Sequence, residues 1–244
     1  MEYFVPRNSH LVVLLFLGTG FLAGMAGLLF VSAALRGRLE MARRLLAGTL
    51  ALVLGYGVIL GAVSWRSQER VLAAGEHKYF CEVDCHLAYS VTGVERAQAI
   101  GQGESAVKAS GEFFIVTLRT WFDEDTISRT RGNGLLHPND RILYVVDDAG
   151  RRYPPSLAGQ RALECPAGKL VPLTQPLRPG EAFESTFVFD LPADARNPRL
   201  LLADPFPVNW FLIGHENSFG HEKIYFGLAT GTAPAHASAS ATPN

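Results

Sequence analysis

Residues 111–121 read GEFFIVTLRTW, a β-branched and aromatic run interrupted only by single polar residues. Such a run fits a pleated, half-buried surface and is long enough for a central strand. The same texture continues on both sides. Upstream, Leu87, Tyr89 and Val91 alternate with Ala88, Ser90 and Thr92. Downstream, residues 142–146 are followed by Asp147-Asp148-Ala149-Gly150 and then Arg151, which predicts a hairpin with its glycine at positive φ. Pro179-Gly180 turns the chain into residues 182–191 (AFESTFVFDL). There Phe183, Phe187, Phe189 and Leu191 point one way, while Glu184, Thr186, Val188 and Asp190 point the other. Residues 200–203, 210–213 and 223–228 are further strand candidates. About seven strands with no convincing helix between them predict an antiparallel β-sandwich over residues 79–228.

The first 65 residues have a different character. Residues 11–35 carry no charge, and neither do residues 45–65. A helix needs about 20 apolar residues to cross the hydrocarbon core, so both stretches read as transmembrane helices. A cleaved signal peptide fits poorly, because the first run is too long and MEYFVPRNSH balances one Arg against one Glu. The intervening residues 36–44 hold Arg36, Arg38, Arg43 and Arg44 against Glu40. Basic residues near helix ends stay on the cytoplasmic side, which places this loop inside and both the N-terminus and the C-terminal domain outside. Arg66, Arg70 and Lys78 in the linker 66–78 weaken that contrast. Gly20 and Gly24, and Gly57 and Gly61, are small-residue pairs that permit close helix packing. They predict either a helix hairpin or docking on an integral membrane partner. Neither span holds an ionisable side chain of the kind proton relays and ion paths need, which argues against a transporter.

Residues 111–191 also resemble a known family. Asp147, Gly150 and Tyr153, then Leu177, Pro179 and Gly180, then Phe187, Phe189 and Pro192 follow a D-x-x-G-x-x-Y, L-x-P-G and F-x-F-x-x-P pattern. That pattern is similar to telokin-like, immunoglobulin-like domains of unknown function on bacterial membrane proteins and lipoproteins. The resemblance implies an immunoglobulin-like sandwich outside the bacterial cytoplasmic membrane, in the periplasm. It implies no activity, since a fold does not fix a function. The paired helices and the cysteine segment depart from the pattern.

The densest group of ligand-type side chains is His77, Cys81, Glu82, Asp84, Cys85 and His86. On an extended strand, residues four apart lie about 13 Å apart, too far to share a disulfide or a metal. Cys81 and Cys85 can cooperate only if the segment turns. In an oxidising compartment a disulfide leads, either Cys81–Cys85 or one of them with Cys165. The alternative is a copper or zinc centre, or a thiol-redox site, on Cys81, Cys85 and His86, with His77 within reach; thiolates with imidazole suit Cu(I) or Zn(II). The C-x-x-x-C spacing is similar to that of cytochrome-oxidase copper chaperones and of the oxidase's dinuclear copper centre. Met1, Met25 and Met41 all precede the soluble domain, so no methionine ligand is at hand.

Other motifs carry less. Residues 127–141, after Asp123, Glu124 and Asp125, read as an exposed loop. The histidines of GHENSFGHE, His215 and His221, are six apart and cannot share a helix face as in H-E-x-x-H. No P-loop, nucleophile elbow or dinucleotide fingerprint occurs, which predicts a protein without catalysis or cofactor. A net charge of −1 excludes a whole-chain case for nucleic-acid binding. Residues 229–244 are a low-complexity tail. The expectation is a membrane-anchored accessory subunit that docks on or stabilises a larger membrane assembly, such as a respiratory or photosynthetic electron-transfer complex. Phe206, Trp210 and Phe211 are its candidate interface residues, because aromatic side chains are enriched at contact centres.

Overall fold

The computed structural model describes residues 9–82, 86–101, 106–167 and 169–228. Within them, two long apolar helices, α1 (Ser9–Leu35) and α2 (Leu39–Trp65), precede a mostly β domain. Each helix has 27 residues, about 40 Å at 1.5 Å per residue. Both are long and apolar enough to cross a membrane. The connection is only residues 36–38, with Gly37 at φ 71°. It is shorter than the 36–44 loop expected from charge, because Glu40, Met41, Ala42, Arg43 and Arg44 are all residues that a helix accommodates readily. Arg44 and Glu40 pair at 2.9 Å, one turn apart on the exposed face.

The seam between the helices is a heptad-like stripe. Val12, Phe16, Thr19, Ala23, Ala26 and Phe30 are half-buried on α1, and Leu45, Thr49, Leu52, Tyr56 and Leu60 on α2. Phe16 and Tyr56 meet ring to ring at 6.4 Å, and Ala33 and Ala42 are buried beside the turn. The four glycines of the G-x-x-x-G pairs are not in this seam. Gly20, Gly24, Gly57 and Gly61 are all exposed, and a Cβ on any of them would meet nothing within 4 Å. The hairpin reading of these glycines is therefore corrected: bulkier side chains spaced three and four apart hold the helices together.

The chain divides into two compact units. The helices and Phe206–Lys223 form one, and the β domain forms the other. This corrects the expected boundaries, in which residues 206–223 belonged to the sandwich. Residues 210–213 are not a strand; Pro207–Phe211 is a 3-10 turn, with proline at its start where no N–H is needed.

Among the described residues the β domain has nine strands: β1 (Arg70–Leu72), β2 (Lys78–Cys81), β3 (His86–Ile100), β4 (Val107–Asp123), β5 (Ile142–Val146), β6 (Arg152–Tyr153), β7 (Ala182–Leu191), β8 (Arg199–Ala203) and β9 (Ile224–Gly227). They form two sheets of a β-sandwich, in the orders β1-β9-β8-β5-β6 and β2-β3-β4-β7. All pairings are antiparallel except β1 with β9. The linker 66–78 thus contains a strand that alternation could not reveal, since three residues carry too short a period. The 111–121 run is the middle of β4, between β3 and β7. Phe114, Val116 and Leu118 of β4 share a face with Phe189, Phe187 and Ser185 of β7, as the alternation of residues 182–191 predicts. Leu87, Tyr89 and Val91 join that face from β3, opposite Phe122, Thr120 and Leu118.

The opposite face of this sheet is covered by a helix that the sequence reading did not contain, α3 (Leu157–Ala167). Gly159 and Pro166 disguise it. The Ser156 hydroxyl accepts the Gly159 N–H at 3.2 Å and caps its start. Ile100, Phe113 and Val188 cluster beneath Ala162 and Leu163. Gln160 Oε1 accepts the Val188 N–H at 2.9 Å, and the Ser156 N–H reaches the Val188 carbonyl at 2.7 Å. The free edge of β7 is thereby occupied, which removes a site for strand-to-strand aggregation.

The expected β5–β6 hairpin is present, with Gly150 at φ 74°. Asp147 locks it. Its Oδ1 accepts the N–H groups of Ala149 and Arg151 at 3.0 and 2.9 Å, and its Oδ2 accepts Arg151 Nε at 2.7 Å and the Tyr153 hydroxyl at 2.9 Å. Burial pushes this carboxyl up, but the hydrogen bonds from Arg151 and Tyr153 outweigh it and hold the group below the usual carboxylate range. A group held low in the folded state stabilises above its unfolded pKa, and that contribution is lost as pH falls through the folded value. Asp147→Asn is therefore expected to flatten the acid limb of the stability profile below about pH 4. Unfolding midpoints of both proteins at pH 7 and pH 3 check this; an unchanged acid limb would remove Asp147 as its source.

Candidate functional site

The cysteine segment straddles a strand reversal. β2 ends at Cys81 and β3 begins at His86, and these two residues are direct cross-strand partners. The antiparallel register sets positions 81 and 86 side by side. Cys81 is half-buried. Cys85 lies outside the described residues, as does the side chain of Cys165, although its backbone is in α3. The disulfide candidates therefore fall largely outside what the structure describes. His77 is engaged with aromatic rings, at 6.1 Å from Tyr79 and 5.7 Å from Trp121.

Next to this reversal lies a buried ionic cluster that sequence reasoning missed. Lys78, read from sequence as linker, opens β2 and is buried. Its register opposite Tyr89 turns it to the inner face. Its Nζ donates to the carbonyls of Leu202 at 2.6 Å and Ile224 at 2.9 Å, tying one sheet to β8 and β9 of the other. Glu82, also buried, accepts hydrogen bonds from Asn139 and from the Arg141 guanidinium. The Arg141 side chain is 0% exposed, and the Glu82 side chain is 3% exposed. Arg141 stacks 4.4 Å from the Phe80 ring centroid and approaches Asp204 at 3.9 Å. Arg141 thus closes the expected exposed loop 127–141 by plunging inward, because a guanidinium beside Phe80 and Glu82 has both a ring face and a charge to meet.

The electrostatics follow from burial. Burial raises the Glu82 carboxyl above its ordinary value; the Arg141 charge and the Asn139 backbone pull it down, and Asp204 pushes it up again. Burial pushes the Tyr89 hydroxyl up to about 12, against the lowering effect of Arg141. A positive charge among two carboxylates, enclosed between sheets, is a structural clamp. No signal in the sequence marked it beyond Arg141 standing immediately before a β run.

The acidic triplet has a local role. Asp123 is buried and caps the 3-10 turn Glu124–Thr126 by accepting the Asp125 N–H at 3.0 Å. In the other unit, GHENSFGHE forms a tight turn. Asn217 N–H donates to His215 Nδ1 at 3.0 Å, and Lys223 Nζ donates to the Glu216 carbonyl. Among the described residues, no three His, Cys, Asp or Glu side chains converge as metal ligands.

The first interface candidates fold onto α2. The Tyr56 hydroxyl donates to the Phe211 carbonyl at 2.6 Å, and the Glu222 N–H donates to Ser67 Oγ at 2.9 Å. Phe206, Trp210 and Phe211 remain exposed along this segment.

No family model and no curated protein matches the chain. Among solved structures, it is similar to MPT63, a secreted protein from Mycobacterium tuberculosis, at 11% identity and TM-score 0.40, covering 66% of this chain and 97% of that one. A conserved hypothetical protein from Bacillus anthracis matches at 15% identity and TM-score 0.37, over 55% of this chain and 92% of that one. The yjhA protein from Bacillus subtilis matches at 16% identity and TM-score 0.36, over 65% and 99%.

Proposed function

We propose that this chain is a non-catalytic accessory subunit, anchored in a bacterial cytoplasmic membrane by α1 and α2, that docks on a larger membrane assembly. The turn at residues 36–38 faces the cytoplasm, and the sandwich lies on the periplasmic side. The arginines around that turn support this orientation, and the placement of Lys78 strengthens it: its charge sits in the sandwich core rather than beside the membrane. The sandwich is read as immunoglobulin-like. In such folds the second strand pairs with the fifth, the third pairs with the sixth, and the sheets exchange strands in Greek-key order. β4 with β7 and β5 with β8 reproduce that exchange. The ion cluster is consumed inside the domain, which favours a rigid platform over a reaction centre.

The observation that carries the docking reading is the direction of the glycines. Both G-x-x-x-G faces point away from the helix seam with open space above them, where a partner helix can approach closely. An electron-transfer complex is the kind of assembly that recruits such a subunit. The test is purification from the native membrane in mild detergent, with mass spectrometry and metal analysis of the same fraction. Integral membrane partners are expected to co-elute. They should be lost from Gly20→Leu/Gly24→Leu or Gly57→Leu/Gly61→Leu, whose leucines the open space admits without unfolding the sandwich. A lone chain in mild detergent overturns the proposal.

A second reading keeps one observation in its favour, the direct pairing of Cys81 with His86. It makes the chain a copper- or zinc-handling or thiol-redox protein using Cys81, Cys85 and His86. Stoichiometric metal in the same fraction, lost in Cys81→Ser, would establish it.

A further inference from the structure

Residues 206–214 (FPVNWFLIG) contain no charged side chain, yet they join a loop rich in polar groups to one flank of an apolar helix. Three contacts fix how they lie. Glu222 N–H meets Ser67 Oγ just past the end of α2, Gly220 lies against Ser64, and the Phe211 carbonyl accepts from Tyr56 at 2.6 Å. Tyr56 is nine residues before Trp65, which places the 3-10 turn about 13 Å down the helix from its end. The segment therefore descends along α2 and returns. Along the descent Phe206, Val208, Trp210 and Phe211 are 48, 48, 52 and 54% exposed, and Phe219 on the return is 75% exposed. Several of its polar groups are satisfied within the same unit. Asn209 is buried, the Phe219 N–H reaches the Trp210 carbonyl at 3.0 Å, and Tyr56 covers the carbonyl at the tip.

We infer that residues 206–214 are a re-entrant wedge inserted into the outer leaflet of the lipid bilayer beside α2. This rests on the reading that α1 and α2 cross the membrane. Irregular backbone survives at membrane depth only where its polar groups are covered by protein, and the Tyr56 hydroxyl does that for the Phe211 carbonyl. Trp210 and Phe211 are exposed at this level, which is that of the acyl chains around a spanning α2. The occupant is lipid because the segment lies against Tyr56, well inside a helix long and apolar enough to cross a membrane, at a level where acyl chains surround whatever the helix and segment leave exposed.

The test uses the full chain in phosphatidylcholine vesicles with brominated acyl chains. Trp65→Phe/Trp121→Phe leaves Trp210 as the sole tryptophan. A control carries Val58→Trp with all three native tryptophans replaced by phenylalanine, and reports the spanning helix itself. Circular dichroism verifies that both variants keep the β domain. The wedge predicts that Trp210 loses most of its emission to the bromines, keeps it against aqueous acrylamide, and that Val58→Trp does likewise. Trp210 quenched by acrylamide, with Val58→Trp quenched by bromine, overturns the wedge and leaves the spanning reading standing. Trp210 shielded from both quenchers also overturns it, and assigns the face to a second copy of the chain. A Val58→Trp probe reached by acrylamide alone overturns both readings.

Discussion

Arg141→Ala is expected to destabilise the β domain by about 3–5 kcal/mol, the cost of leaving a buried charge uncompensated. For a domain of this size that lowers the thermal midpoint by roughly 10 °C. The cause is specific. Glu82 would keep its burial and its Asn139 contact but lose the guanidinium, and Phe80 and Tyr89 would face a void where the cation stood. The pH dependence separates this from simple loss of packing. The Glu82 carboxyl is raised chiefly by burial, with Arg141 opposing, and removing Arg141 raises it further. An acid whose folded pKa lies above its unfolded value binds its proton more tightly when folded. Its penalty is therefore absent below the unfolded pKa, grows as pH rises between the two values, and is complete above the folded one. Arg141→Ala should accordingly lose less stability at pH 5 than at pH 8. The double variant Glu82→Gln/Arg141→Met should recover much of the loss at both, since it removes both charges together. Chemical denaturation of the three proteins at the two pH values decides this. A loss independent of pH, or a double variant no better than the single one, would mean that the cluster contributes only volume.

This cluster also marks where the sequence stopped being legible. Long elements announced themselves. The uncharged lengths of residues 11–35 and 45–65, the β4 run and the alternation in residues 182–191 each extend over enough residues to establish a pattern. The hairpin at Asp147 was legible because its glycine requires positive φ, and the structure adds why Asp147 and Tyr153 belong to the same motif: their side chains bond each other. Short elements were opaque. β1 has three residues and β6 two, and their pairing is a property of the partners β9 and β5. α3 was hidden because Gly159 reads as a helix breaker, whereas in the fold it is what lets the helix lie against Val188 and Phe113. Lys78 and Arg141 were assigned to surface segments because long charged side chains usually are there. Only tertiary geometry, with two strand carbonyls awaiting one and a buried carboxylate awaiting the other, places them inside. The glycine pairs show the converse: a motif read as a close-packing surface lies off the seam, and the helices of this chain pack through a different face.

The largest effect from the smallest substitution is expected at the first residue of the run 111–121. A Cβ at Gly111 would lie 2.4 Å from the Leu191 carbonyl oxygen, 2.5 Å from the Ala193 nitrogen and 2.6 Å from the Pro192 carbonyl carbon. All three are backbone atoms, so no side-chain rotation can relieve the overlap. They belong to the last residue of β7 and the two that follow it, where Glu112 pairs with Leu191 and the Ser110 N–H and hydroxyl bond Asp190 at 2.9 and 2.8 Å. Moving β7 aside would break those bonds and shift Leu191 and Phe189, both buried in the core. Gly111→Ala is therefore expected to cost about 3 kcal/mol, the upper end for overpacking. Gly93→Ala is the matched control. It is also a strand glycine, but its Cβ would meet Thr117 at an ordinary 3.7 Å, so its effect should stay within about 1 kcal/mol and can be stabilising through reduced freedom of the unfolded chain. Urea titration of both variants, followed by near-ultraviolet circular dichroism, gives the comparison. Both variants should leave α1 and α2 paired, because those helices meet through their own seam. Equal midpoints for the two would mean that β4 does not close against β7 at residue 111, and the strand on which the sandwich is built would have to be paired differently.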